Sequence, residues 1–149
     1  MIMARTDAIA TDGFQEALDR MALFQEIGVD LFFVEAPTDL NQLRQIPQEI
    51  SGPCVVNLID GGATPLLSAA ECADLGYAAC AVPVAATHVV VKALETFYRD
   101  LLKSGDLRDA MQHGVGFQAY TDLVGLPQQR KAEQAYLDQA REILERRDG

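Results

Sequence analysis

The sequence predicts an α/β fold built on a parallel sheet. Four short apolar runs, MIMARTDA, VDLFFVEAP, PCVVNLID and GYAACAVPV, read as strands buried on both faces. Helix-spaced segments separate them. The strand–helix unit recurs about every 25 to 30 residues, the ordinary size of a βα repeat.

Each element has its own justification. The first run occupies residues 1–8 and ends in Arg5-Thr6-Asp7. In the following segment, IATDGFQEALDRMALFQEIG, residues Phe14, Ala17, Leu18, Met21 and Phe24 fall at helical spacing. Asp12 with Gln15 three residues on resembles a capping box, and Gly28 suits the stop. VDLFFVEAP carries its polar end, Glu35, just before Pro37. TDLNQLRQI reads as a short helix with Leu40, Leu43 and Ile46 on one side, which Pro47 is expected to interrupt. PCVVNLID leads into GGATP and a short helix near residues 68–75. GYAACAVPV leads into a longer helix over roughly 86–103, with Val89, Ala93, Phe97 and Leu101 on one face. Residues 106–149 read as helical throughout, most clearly in AEQAYLDQAREILERR, whose stripe is Ala132, Tyr136, Ala140 and Ile143. The order is βαβαβαβα followed by extra helices, with no linker and no low-complexity segment.

Composition narrows the function classes. The 149 residues are 49% hydrophobic and 23% charged, enough for one domain with a real core. Twelve basic against 22 acidic side chains leave a net charge of -10. Such a chain is a poor partner for nucleic acid or an anionic membrane surface. No apolar stretch is long enough to cross a bilayer. The start lacks the basic region and long apolar core of a signal peptide, so a cytoplasmic protein is expected. Cys54, Cys72 and Cys80 form no CxxC pair, and Cys54 and Cys80 read as buried small hydrophobes.

The polar residues fall in one kind of place. Each strand runs apolar and then finishes polar: at Arg5, at Glu35, past Asn57 to Asp60, and at Pro83 with His88 a few residues on. In parallel α/β folds the carboxyl ends of all strands share one face, and ligands bind there. That geometry predicts that Arg5, Glu35, Asn57 and His88 gather on one rim. Arginine offers a planar fork that grips a carboxylate and keeps its charge. Asparagine donates to a carbonyl or carboxylate oxygen, and Glu35 can orient the arginine, receive a hydroxyl or move a proton. The chemistry points to a small acid. GGATP supplies a flexible loop beside the third strand, and it is not a phosphate loop. The same residues admit structural roles: Arg5 can pair with Asp7 or Glu35, Asn57 can cap its loop, Gly61 and Gly62 can simply turn the chain, and His88 and His113 can lie on helix surfaces. There is no nucleophile motif and no Cys/His metal spacing, and Asp7 and Asp60 are not an obvious metal-binding pair.

IMARTDA, LFFVEAP, VVNLIDGGATPLLSAAECADLGY and AVPVAATHVVVKALETFYRDL, in that order, resemble the isocitrate lyase/phosphoenolpyruvate mutase superfamily. The resemblance is to its 2-methylisocitrate lyase and oxaloacetate decarboxylase-like branch, and FQAYTDLVGLPQQRKAEQAYL resembles that family's C-terminal helices. It implies a TIM-type (β/α)8 barrel, a homo-oligomer (a tetramer in the family) that exchanges a C-terminal helix, and cleavage or formation of C–C or C–P bonds through a Mg²⁺-bound enolate. By resemblance Arg5 grips the substrate carboxylate, and Glu35 and Asn57 line the same pocket. A complete barrel has eight strands and about 250 residues, and residues 1–8 resemble the family's fifth strand. The expectation is therefore the C-terminal half of such a barrel, with 1–105 the half-barrel and 106–149 its helical extension. The Mg²⁺ ligands and the mobile catalytic loop are expected in an N-terminal half, which would leave the isolated chain inactive. His88 stands where 2-methylisocitrate lyases have an arginine, and a later assisting arginine is absent around His113-Gly114. Two lost cations favour a small 2-oxo or dicarboxylic acid over a tricarboxylate. The alternative reading is a non-catalytic half-barrel serving as a binding or assembly module.

Overall fold

The computed structural model describes residues 1–148. Four parallel strands, β1 (Met3–Thr6), β2 (Leu31–Val34), β3 (Cys54–Asn57) and β4 (Ala79–Ala81), pair in sequence order. Helices alternate with them: α1 (Ala8–Thr11) and α2 (Phe14–Ile27), then α3 (Leu40–Glu49), α4 (Ala69–Leu75) and α5 (Ala85–Ser104). Next come α6 (Leu107–Ala110), a 3-10 turn at Met111–His113, α7 (Phe117–Leu123) and α8 (Leu126–Asp148). The chain divides into two compact units, Met1–Val91 and Lys92–Gly149.

The register shows which residues share a face. Ala4, Phe32 and Cys54 are cross-strand partners, as are Thr6 and Val34, and Val56 and Cys80. These point to the helix-covered side, where Phe32, Val34, Cys54 and Val56 join Ala17 and Met21 of α2, Leu43 and Ile46 of α3 and Cys72 of α4 in one core. Alternation puts Met3, Arg5, Phe33, Val55, Asn57, Ala79 and Ala81 on the opposite side.

Three local expectations are corrected. Asp12 and Gln15 form no capping box: Asp12 is the C-cap of α1, and Gly13 at φ 99° is the N-cap of α2, with no side-chain cap. Asp12 instead accepts from Thr11 and Arg20, and the Gln15 amide donates to Asp19. Second, Pro47 does not interrupt α3, which runs on to Glu49. A proline lacks the N–H that would bond the carbonyl four residues back, here that of Leu43. The Tyr77 hydroxyl donates to that carbonyl at 3.0 Å, so the orphaned acceptor is satisfied from outside the helix. Third, the C-terminal segment is not helical throughout. It breaks at Gly114–Gly116 and again at Gly125, which takes φ 74°. Gly28 does end α2, in the left-handed conformation at φ 85° with its N–H donating to Phe24 and Gln25 carbonyls. Ser68 and Glu71 form a reciprocal capping box on α4.

Candidate functional site

The site sits at the carboxyl ends of the strands of the first unit. Arg5 and Phe33 are register partners on neighbouring strands, and the guanidinium lies over the Phe33 ring, 4.8 Å from its centroid. This stacking covers the ring, which is buried, and aims the arginine along the strand ends. Arg5 Nε and Nη2 donate to the two carboxylate oxygens of Asp7 at 3.0 and 2.8 Å, a bidentate pair. That hydrogen bonding raises the arginine pKa further and holds the Asp7 carboxyl below the usual carboxylate range. Both side chains are largely open to solvent, so the pair positions charge more than it stabilises the fold.

Glu35 extends β2 by one ladder bond, its N–H donating to the Thr6 carbonyl at 2.9 Å. Arg5 Nη2 stands 3.2 Å from Glu35 Oε2, yet its aligned bonds go to Asp7. Glu35 Oε2 is shielded from solvent and accepts no aligned hydrogen bond among the described residues. It is the one buried side-chain oxygen among them left in that condition, and leaving it so is costly unless a ligand or solvent completes it. The next residue, Ala36, has φ 57°, a conformation that costs a non-glycine residue energy and persists where surrounding structure imposes it. Pro37 behind it is buried and holds the bend.

Glu35 and Ala36 form one wall of a pocket of about 120 Å³. Asn57 and Ile59 from the end of β3, and Gly62, Ala63 and Thr64 from the loop beyond it, form the rest. That volume is several-fold more than one water requires. The loop turns tightly: Gly62 donates to the Ile59 carbonyl at 2.9 Å, and a Cβ at Gly62 would stand 3.0 Å from that oxygen. A larger residue there would open the turn and reshape the wall.

The structure thus brings Arg5, Asp7 and Glu35 into contact, and places Asn57 across the pocket from Glu35. It does not bring His88 into the pocket lining. His88 is exposed in the first turn of α5, its N–H donating to the Val84 carbonyl. Asp60 is exposed as well. Of the loop residues only GGATP was a sequence signal. Ala36 and Ile59 had none, because their role is backbone shape. Among the described residues no group of three His, Cys, Asp or Glu side chains could hold a metal ion. Among the described residues no helix is long and apolar enough to cross a membrane. Cys54 and Cys72 are buried free thiols and Cys80 is half-buried.

Comparison with known proteins follows the same lines. The sequence profile of the phosphoenolpyruvate phosphomutase family matches residues 1–102. The chain is 38% identical over 136 residues to the 2,3-dimethylmalate lyase of Eubacterium barkeri, covering 91% of this chain and 47% of that protein. It is 30% identical over 146 residues to the 2-methylisocitrate lyase of Aeropyrum pernix, covering 98% and 47%. Among solved structures, a 2,3-dimethylmalate lyase superimposes with a TM-score of 0.82 at 28% identity, over 91% of this chain and 48% of the other. The chain spans about half the length of the curated relatives it matches.

Proposed function

The chain belongs to the phosphoenolpyruvate phosphomutase family within the isocitrate lyase superfamily, and from that premise we propose that it is part of a carbon–carbon lyase acting on a small 2-oxo or dicarboxylic acid through an enolate. Its four βα units match about half of a TIM-barrel-type lyase. The observation that carries the reading is the pocket lined by Glu35 and Asn57, with Glu35 Oε2 buried, accepting no aligned hydrogen bond and 3.2 Å from Arg5 Nη2.

Each residue has a task that follows from its chemistry. Arg5 uses Nε and Nη2 on Asp7, and Nη1 makes no hydrogen bond among the described residues. Nη1 can therefore donate to a substrate carboxylate oxygen while Asp7 holds the guanidinium's orientation. Asn57 donates its amide N–H to a substrate oxygen across the pocket. Glu35 accepts from a substrate hydroxyl and can receive its proton.

Mg²⁺ is the cofactor the family resemblance implies. The described residues do not fit it: no group of three candidate ligands converges here. The metal's ligands and the mobile loop are assigned to parts of the whole enzyme outside these residues, and the isolated chain is proposed to bind the acid without turning it over. The same observation supports a second reading, a half-barrel that binds or assembles without catalysis. The experiment is turnover of oxaloacetate by the purified chain with Mg²⁺, alone and supplied with the unmatched half of the Eubacterium barkeri lyase. Turnover only in the mixture, lost in Arg5→Gln, supports the lyase reading. Absence of turnover in a mixture that does form a complex supports the binding module.

A further inference from the structure

We infer that Ile59 is a specificity-determining residue of the pocket, and that it selects an acid carrying a methyl or ethyl branch. The inference rests on the acid-binding reading proposed above and adds the shape of the acid. It starts from the sheet period. β3 ends at Asn57, but the ladder goes on for one more residue, since the Leu58 N–H donates to the Ala81 carbonyl at 2.9 Å. Side chains alternate along an extended strand. Leu58 turns into the helix-covered core, where it is buried, and Ile59 therefore falls on the same side as Asn57. Both line the pocket with Glu35. An apolar, β-branched residue thus stands half-buried at the ligand end of the strand, on the side away from the core.

The loop holds that side chain in place. The Gly62 N–H donates to the Ile59 carbonyl at 2.9 Å. A Cβ on Gly62 would lie 3.2 Å from Ile59 Cβ and 3.7 Å from its Cγ2. The branched stem therefore lies beside the turn, and a β-branched residue has few rotamers by which to leave it. Ala36 and Ala63 add methyl groups to the same lining. The lining divides by chemistry: Glu35, Asn57 and Thr64 can meet the oxygens of an acid, whereas the side chains of Ile59, Ala36 and Ala63 offer only hydrocarbon. An unbranched acid leaves that hydrocarbon facing water. A methyl branch covers it, and burying one such group is worth roughly a fourfold gain in affinity. A polar group in the place of the branch would exchange water for hydrocarbon with no hydrogen bond in return.

The test is the dissociation constant of malate, 2-methylmalate and 3-methylmalate, measured by titration calorimetry on the purified 149-residue chain. The readout is the ratio of branched to unbranched affinity in the wild type, Ile59→Val, Ile59→Thr and Ala63→Ser, with Arg5→Gln as the control for acid binding. The wild type is expected to bind one or both branched acids roughly fourfold more tightly than malate. Ile59→Val should keep that preference, and Ile59→Thr, which puts a hydroxyl where hydrocarbon stood, should lose it. Ala63 is exposed, so Ala63→Ser reads the same lining without touching the core, and it should lower the ratio. Equal affinities for all three acids in the wild type would overturn the inference. So would a preference that neither Ile59→Thr nor Ala63→Ser changes. Either result leaves the acid-binding reading standing where malate binds and Arg5→Gln weakens all three acids alike. No binding of any of the three acids by the wild type would overturn both.

Discussion

Arg5, Asp7 and Glu35 show what one residue can and cannot reveal before its neighbours are known. Arginine at a strand end suggested an acid-binding rim, with pairing to Asp7 or Glu35 as the structural alternative. The structure contains both pairs, and the buried polar atom left without an aligned hydrogen bond is Glu35 Oε2. Because Asp7 titrates below its usual 3.8, its pairing supports the fold above that pH and is lost as pH falls through the folded value. Asp7→Asn should therefore be slightly less stable than wild type above about pH 4 and converge with it as the pH falls further, the difference staying small since the pair is exposed. The alkaline limb is governed elsewhere. Burial pushes the Cys54 thiol up to about 11 from 9.0, and burial also raises Tyr77. Both groups ionise more readily in the unfolded chain, so stability is flat below pH 9 and falls above it, by about 1.4 kcal/mol per pH unit for each group engaged. Urea midpoints measured from pH 8 to pH 11 check this, and Cys54→Ala should reduce the slope.

At the scale of elements, the βα order was legible because apolar runs and helical spacing alternate without interference. What stayed illegible were features decided by partners distant in sequence. Pro47 reads as a helix breaker, and only the Tyr77 hydroxyl, 30 residues on, explains why α3 continues past it. Tyr77→Phe should cost about 1–2 kcal/mol in urea unfolding, by leaving the Leu43 carbonyl unsatisfied. Pro47→Ala restores an N–H to that carbonyl, so the Tyr77→Phe penalty should shrink in the Pro47→Ala background; an unchanged penalty would sink the explanation. Asp12 and Gln15 carried a capping pattern, but the chain inserts α1 first and Gly13 turns it, so the pattern was never used. His88 lies exposed in the first turn of α5 and does not line the pocket that Glu35 and Asn57 share. Helix ends with local signals were easier: Gly28 and Ser68 act through immediate neighbours. Gly28→Ala should cost about 1 kcal/mol from backbone strain alone, since a Cβ there meets nothing within 4 Å. Gly52→Ala should cost more, because its Cβ would stand 2.4 Å from the buried Phe32 ring.

For the whole molecule, four βα units that match about half of a TIM-barrel-type lyase carry Arg5, Glu35 and Asn57 at their strand ends, and the described residues assemble no metal-binding group. These two facts divide the functional question. In the proposed function the acid is held by Arg5, Glu35 and Asn57 of this chain, whereas the metal needs ligands that the described residues do not assemble. The measurement that tests this most directly is thermal unfolding of wild type and Arg5→Gln with and without oxaloacetate. A ligand at about one hundred times its dissociation constant stabilises a folded protein by about 2.7 kcal/mol, which for a chain of this length is a rise of roughly 5–10 °C. The account predicts that rise in the wild type and its loss in Arg5→Gln, with the two proteins melting alike when no acid is present. Equal melting of the wild type with and without the acid, or an equal rise in both proteins, would contradict it.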